Sequence, residues 1–205
     1  MIEGRAVGAF GANCYIISCP ETKKAVIIDP GAEGKRICSW VREKGYQVEY
    51  ILLTHGHVDH IGAVDEVREA CGAKVGINVN DAGMLTDAQE NMSRAFGSSI
   101  ERKAADFFLE DGQTITFGKI TLTVLTTPGH TLGGVCFLGP DGLISGDTLF
   151  EGSIGRTDFP GGSMEQLMRG IKEKLMVLPD ETRVFPGHGG STTIGREKRE
   201  NPFLV

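Results

Sequence analysis

Ile51-Leu52-Leu53-Thr54-His55-Gly56-His57-Val58-Asp59-His60-Ile61-Gly62 decides how this chain is read. An apolar run of strand length ends at Thr54, and three histidines and an aspartate follow at once. Imidazole and carboxylate are good ligands for zinc and for divalent iron or manganese. In an extended turn, His55 and His57 can aim two rings at one ion. Asp59 and His60, where a helix should begin, can face a second position beside it. Gly56 carries no side chain, so the spacing predicts a backbone that passes close to the ions.

The chain holds five histidines in all, and the two outside this cluster sit in matching settings. His130 lies in Thr127-Pro128-Gly129-His130-Thr131 after the strand-like Ile120 to Thr126, and His188 lies in Phe185-Pro186-Gly187-His188-Gly189. Asp147, in Ser145-Gly146-Asp147-Thr148, follows another apolar run. Ligands gathered from loops at strand ends are a common way to build a site on a rigid scaffold. Surface and capping roles account for a lone histidine but not for four such residues within six positions.

The 205 residues suit one medium domain, expected over residues 1–205, with a core large enough to fold unaided. A composition 40% hydrophobic and 23% charged, with 29 glycines, points to an α/β protein rich in tight turns. A net charge of −6 without a basic stripe argues against a nucleic-acid partner. Five scattered cysteines, 14, 19, 38, 71 and 136, read as buried free thiols in a reducing compartment. Met1-Ile2-Glu3-Gly4-Arg5 opens no long apolar stretch, so neither a signal peptide nor a membrane span is expected and the cytoplasm follows by elimination.

Periodicity orders the rest. Cys14 to Cys19 and Lys24 to Asp29 read as a hairpin closed by Asp29-Pro30-Gly31, and residues 33–44 as a helix stopped by Gly45. A strand over Glu49 to Thr54 precedes a helix over 60–71, stopped by Gly72, and a strand over Lys74 to Asn78. Asp81 to Ala88 suggests a short helix, and Asn91 to Ser99 an exposed connection of low apolar content. Strands follow at Gln113 to Phe117, Lys119 to Thr126, Gly134 to Leu138, Gly142 to Ser145 and Arg183 to Phe185. Between the last two, Ser163 caps a helix to Met176 that turns Leu167, Ile171 and Leu175 inward.

Thr54-His55-Gly56-His57-Val58-Asp59-His60 resembles the signature of the metallo-β-lactamase superfamily. Thr127 to Gly133, Gly146 to Gly162 and Pro186 to Gly189 resemble its hydroxyacylglutathione hydrolase (glyoxalase II) branch, and similarity runs from Asn13-Cys14-Tyr15 to Asn201-Pro202-Phe203. The resemblance implies a four-layer αββα sandwich with two ions at one edge. It assigns His55, His57 and His130 to one ion, and Asp59, His60 and His188 to the other, with Asp147 bridging. Zinc is the first expectation, with iron or manganese as alternatives. Two such ions lower the pKa of bound water from ~15.7 towards neutrality and polarise a carbonyl. The implied reaction is attack of a metal-bridging hydroxide on a thioester such as S-lactoylglutathione. Asp147, and Asp59 through its second oxygen, are the expected catalytic carboxylates, and no Gly-x-Ser-x-Gly elbow competes with them. Thr54, Thr131 and Thr148 stand where they can support the imidazoles or simply hold turns.

Arg156 aligns with a basic residue that glyoxalase II enzymes use near the glutathione backbone. Phe159 either meets an apolar part of the substrate or packs on the following helix. Arg196 and Lys198 are further candidates for substrate binding. The chain departs from full-length glyoxalase II in two ways: it stops before the C-terminal helical domain, and Gly189-Gly190-Ser191-Thr192 lacks the tyrosine that follows the last metal histidine. It therefore resembles the short bacterial glyoxalase II-like subgroup, expected as a monomer or small homo-oligomer.

Alternatives remain open: a two-metal hydrolase of another small ester, thioester or lactone, or a glutathione persulfide dioxygenase holding one iron on His55, His130 and Asp147. A β-lactamase is disfavoured because Asp147 stands where many of those enzymes place a cysteine. The superfamily's nucleases add a second large domain, and its flavodiiron-like modules need a flavin domain.

Overall fold

The computed structural model describes residues 1–205. Two six-stranded sheets pack face to face. The first contains β1 (Ile2–Val7), β2 (Ala12–Ser18), β3 (Lys24–Ile28), β4 (Gln47–Leu52), β5 (Lys74–Asn78) and β6 (Phe107–Leu109), in that order. The second contains β7 (Thr114–Phe117), β8 (Ile120–Thr126), β9 (Val135–Gly139), β10 (Gly142–Gly146), β13 (Arg183–Pro186) and β14 (Thr192–Thr193), in spatial order β14-β13-β10-β9-β8-β7. A small hairpin, β11 (Leu149–Phe150) with β12 (Ser153–Ile154), stands apart. Helices α1 (Gly34–Lys44), α2 (Val58–Ile61) and α3 (Val64–Cys71) follow strands of the first sheet, α4 (Ala82–Thr86) follows β5, and α5 (Met164–Gly170) and α6 (Ile194–Glu200) belong to the second half.

Side-chain alternation builds the layers, because successive strand residues face opposite ways. On β2 and β3, Tyr15, Ile17, Val26 and Ile28 meet the other sheet, where they join Phe117, Val124, Phe137 and Phe185. Their neighbours Cys14, Ile16, Ala25 and Ile27 turn outward against Ile37, Trp40, Val64 and Val67 of α1 and α3. On the second sheet, Cys136, Leu143 and Val184 face Leu167, Ile171 and Leu175 of the α5 segment and Ile194 of α6. Three apolar seams between four layers are the expected αββα sandwich. All five cysteines are free, four of them buried and Cys71 half-buried. No helix is long and apolar enough to cross a membrane.

Several boundaries differ from expectation for local reasons. The helix expected over 60–71 is two helices. Gly62 presses against the Gly31 carbonyl, and the Ala63 N–H donates outward to the Pro30 carbonyl at 2.9 Å, which interrupts the helical ladder. Ser163 caps α5 as its sequence predicts, accepting from the Gln166 N–H. Past Gly170 the helix widens into a π-turn over Ile171–Leu175 that keeps the three apolar residues inward. The strand β1 was not expected; it pairs antiparallel with β2 along its whole length. The tail also forms α6, capped by the Thr193 hydroxyl.

The segment after α4 is more ordered than its composition predicts. Asn91 and Ser93 are fully buried. The Asn91 side-chain amide donates to the Met84 and Ile100 carbonyls at 2.9 and 2.7 Å, and the Ser93 hydroxyl donates to the Ala88 carbonyl. Polar side chains supply the internal partners that a helix or strand would otherwise give.

Phe137 is fully buried between the sheets, whereas Phe108 is 51% exposed. Phe137→Ala should lower unfolding stability by about 3–5 kcal/mol, and Phe108→Ala by less than ~1 kcal/mol, in denaturant titrations. Equal losses would contradict the assignment of the inter-sheet core.

Candidate metal centre

Strand direction brings the chemistry to one edge. β3, β4 and β5 run parallel, so the turn after β4 opens at their carboxyl ends. β10 and β13 are also parallel, and β8 shares their direction because both it and β10 are antiparallel to β9. The loops after β4, β8, β10 and β13 carry His55 to His60, His130, Asp147 and His188 respectively. Two backbone hydrogen bonds join the sheets there: the Val135 N–H donates to the Thr54 carbonyl at 2.8 Å, and the Asn13 N–H to the Gly187 carbonyl at 2.7 Å.

Besides the hydrogen-bonded group of Asp29, His55 and His60, two sets of three potential ligands result, His55 with His57 and His130, and Asp59 with His60 and His188. Within each set the ligand atoms lie within 4.8 Å of one another. Asp147 stands between them: one oxygen is 3.6 Å from His130 Nε2, and the other is 3.5 Å from His60 Nε2 and 3.2 Å from His188 Nδ1. Gly187 makes this approach possible, since a Cβ there would strike Asp147 Oδ1 and lie 2.8 Å from His60 Cε1.

Hydrogen bonds fix which ring nitrogens face the centre. His60 Nδ1 lies 2.8 Å from Asp29 Oδ2, and an ionised carboxylate only accepts, so that nitrogen carries the proton. Thr54 Oγ1 gives its one proton to Asp29 at 2.6 Å and therefore receives the Nδ1 proton of His55, 3.1 Å away. His130 Nδ1 donates to the Arg156 carbonyl at 2.8 Å. The Nε2 atoms of His55 and His60 are then buried with no protein partner. Orphaned buried polar atoms are costly unless something else occupies them, and a cation at this position, displacing the Nε2 proton of His60, answers that cost. His57 Nδ1 donates to His130 Nε2 at 3.0 Å, a second place where ring nitrogens converge. The donor set thus fits divalent metal.

Electrostatics agree with the geometry. Burial, reinforced by neighbouring imidazoles, holds His55 far below its usual range and His57 down to about 3, so both are neutral and able to ligate. Burial also pushes down on His60, but Asp147 and Asp29 outweigh it and raise that ring to about 9. Hydrogen bonds to Asp147 and Asp59 lift His188 to about 10. Burial opposes ionisation of Asp147, yet the charge of His60 and the bond to His188 keep it below the ordinary carboxylate range.

The other candidates divide. Arg156 and Phe159 line a cleft of about 270 Å³ over the centre, together with Phe10, Met92 and Phe96. The Phe159 ring stands edge-on to His57 at 5.7 Å and carries the Arg156 guanidinium 3.9 Å from its centroid. Arg196 and Lys198 lie outside the cleft. Arg196 is held by Glu151 and Glu200, and Lys198 by Asp180 and the Leu178 carbonyl, so their charges are already matched on α6. Thr54 supports an imidazole directly. Thr131 instead donates to Asp81 and Thr148 pairs with Thr127, so both hold loops. Gly56 answers a different demand from the one expected: a Cβ there would collide with the Met84 side chain of α4.

Sequence reasoning missed Asp29 and Asp81. Asp29 sits in Asp-Pro-Gly at a strand end and reads as turn chemistry. Asp81 accepts from the Gly133 N–H, the Thr131 hydroxyl and the Gly56 N–H, tying the first histidine turn to the His130 loop. Neither residue carries a local signal of that role. Met92 and Phe96 had one weak signal, isolated apolar residues in polar stretches, and Phe10 stands as the one large side chain between glycines and alanines.

Comparison with known proteins places these features in a family. The model for the metallo-beta-lactamase superfamily matches residues 7–188. The probable metallo-hydrolase YqgX of Bacillus subtilis is 43% identical over 97% of this chain and 94% of its own length. Hydroxyacylglutathione hydrolase GloC of Haemophilus influenzae is 39% identical over 99% and 97%. Among solved structures, BLEG-1 B3 metallo-beta-lactamase superposes with a TM-score of 0.96 at 39% identity, covering 100% of both chains. TTHA1623 in a di-iron-bound form gives 0.87 at 38% identity, over 98% of this chain and 100% of its own.

Because His60 and His188 hold protons near neutral pH without metal, ligation must displace them. Metal affinity should therefore rise with pH until about 9 to 10, where these groups deprotonate by themselves. Calorimetric titration of metal-free protein in buffers of different ionisation enthalpy should show proton release at pH 7. Uptake, or no buffer dependence, would contradict the charge assignment.

Proposed function

We propose that this chain, a metal-dependent hydrolase belonging to the metallo-beta-lactamase superfamily, hydrolyses small acyl thioesters, of which S-lactoylglutathione is one example. The observation carrying this reading is the pair of ligand sets sharing Asp147 at the floor of a cleft whose wall holds Arg156. His55, His57 and His130 would hold one divalent ion, and Asp59, His60 and His188 the other, zinc being the first expectation and iron or manganese the alternatives. Bound there, the ions would supply activated water and an electrophilic partner for the acyl oxygen.

The chain's own residues do the rest. Asp59 is 20% exposed to the cleft, with Oδ2 3.2 Å from His188 Nε2. Its carboxylate can orient a water and accept its proton as the C–O bond forms. The C–S bond then breaks and the thiolate keeps the electron pair; with a thiol pKa of ~8.5 it leaves with little protonation. Arg156 binds Asp158 through Nε and Nη2 at 2.7 Å each, which leaves Nη1 free. Stacking on Phe159 fixes the guanidinium plane, and a planar donor fork suits a substrate carboxylate. Phe10, Met92, Phe96 and Phe159 restrict bulk water at the mouth. The name of GloC supports glutathione thioesters as substrates, and the di-iron form of TTHA1623 supports two ions.

A second reading, β-lactam hydrolysis, is favoured by the name of BLEG-1. Metal-loaded protein assayed side by side should cleave S-lactoylglutathione and leave a β-lactam essentially intact. Arg156→Ala should raise KM by roughly twofold to fivefold with a smaller change in kcat, since the guanidinium contacts the substrate away from the reacting atoms and its exposed charge is screened by water. Turnover of the β-lactam alone would replace the thioesterase reading.

A further inference from the structure

Beside the metal cleft lies a second chamber of about 380 Å³, and its chemistry is different. Val7, Phe10, Ala32, Val58, Phe96 and Ile100 give it apolar walls. Phe10, Val58, Asp59 and Phe96 also border the metal cleft, so the two spaces adjoin at the candidate centre. Between them the rings of Phe10, from the β1–β2 turn, and Phe96, from the loop after α4, meet edge-to-face at 5.0 Å. Each is 51% exposed, as expected of side chains that cover a ligand rather than fill a core.

We infer that this chamber receives the acyl half of the substrate, so that the preferred thioesters carry a hydrocarbon acyl chain rather than a short hydroxyacyl group. The inference rests on the thioesterase reading above. Polarity decides the orientation. The metal cleft is lined by Arg156, Asp59, Asp147 and three imidazoles, whereas the chamber has Asp59, at the shared border, as its one charged residue. A thiol bearing polar and charged groups finds hydrogen-bond partners in the first and almost none in the second. An uncharged acyl chain has the opposite preference. Volume argues for length: at ~30 Å³ per water, the chamber corresponds to roughly a dozen waters, far more than a lactoyl group displaces. Order argues that the wall is built. Phe96 and Ile100 sit on the segment that buried Asn91 and Ser93 pin in place, and the Ile100 N–H donates to the Ser93 hydroxyl at 3.0 Å.

The test uses zinc-loaded full-length protein and acyl thioesters of N-acetylcysteamine, a neutral thiol that Arg156 cannot favour, from acetyl to octanoyl. kcat/KM should rise by up to about fourfold per added methylene, the equivalent of ~0.8 kcal/mol each, and then level off. Ser98→Phe, on the exposed rim of the chamber, should flatten that rise. As a readout independent of turnover, 1-hexanol should shift the amide resonances of Ala9, Ala32 and Ser98. Hydrolysis of acetyl and lactoyl thioesters with a flat or falling chain-length profile would overturn this inference and leave the thioesterase reading standing. No thioester turnover at any length would overturn that reading, and this inference with it. Hexanol shifts that are absent or scattered away from the chamber would overturn the inference alone.

Discussion

The Asp29 carboxylate is the interaction on which the site depends. It accepts from the Thr54 N–H at 2.8 Å, the Thr54 hydroxyl at 2.6 Å and His60 Nδ1 at 2.8 Å. These bonds set the ring orientation of His60 directly and the tautomer of His55 through Thr54, leaving both Nε2 atoms buried without a protein partner. Asp29 adopts a left-handed backbone conformation, φ 51°, at the end of β3. A non-glycine residue held there stores strain of order 1–3 kcal/mol, which the three hydrogen bonds offset. One aspartate that is not itself in either ligand triad of the proposed centre therefore prepares one imidazole of each. Outer groups of this kind commonly orient metal-binding histidines.

The sandwich turns that local device into a complete centre. Strands of common direction in both sheets end at one edge, and each sheet contributes loops to it. The first sheet delivers His55, His57, Asp59 and His60, while the second delivers His130, Asp147 and His188. Neither sheet alone presents either complete pair of triads. The apolar seam around Phe117, Phe137 and Tyr15 therefore holds the edge loops in register as well as stabilising the fold. Tyr15 links the two roles: its ring packs in the seam, and its hydroxyl donates to the Pro186 carbonyl beside the His188 loop at 2.7 Å.

Much of this was legible in the sequence because the relevant signals are local. Strand alternation, Gly45 and Gly72 as helix stops, Ser163 as a cap, and histidines after strand-like runs each need only a few neighbouring residues. What was not legible depends on distant partners. Asp29 and Asp81 look like turn residues until Thr54, His60, Gly56 and Thr131 are brought to them across the fold. The segment around Asn91 looks exposed because its order comes from buried polar groups rather than apolar periodicity. Arg196 reads as a free cation until Glu151 and Glu200 are seen beside it.

The central claim is that two ions share Asp147. Elemental analysis of protein purified without added metal, paired with spectroscopy of the manganese-substituted form, tests it most directly. Two ions per chain and a spin-coupled manganese signal that disappears in Asp147→Ala are the expected results. One iron per chain, no coupling and oxygen consumption with glutathione persulfide would contradict the account and move the protein to mononuclear oxygen chemistry.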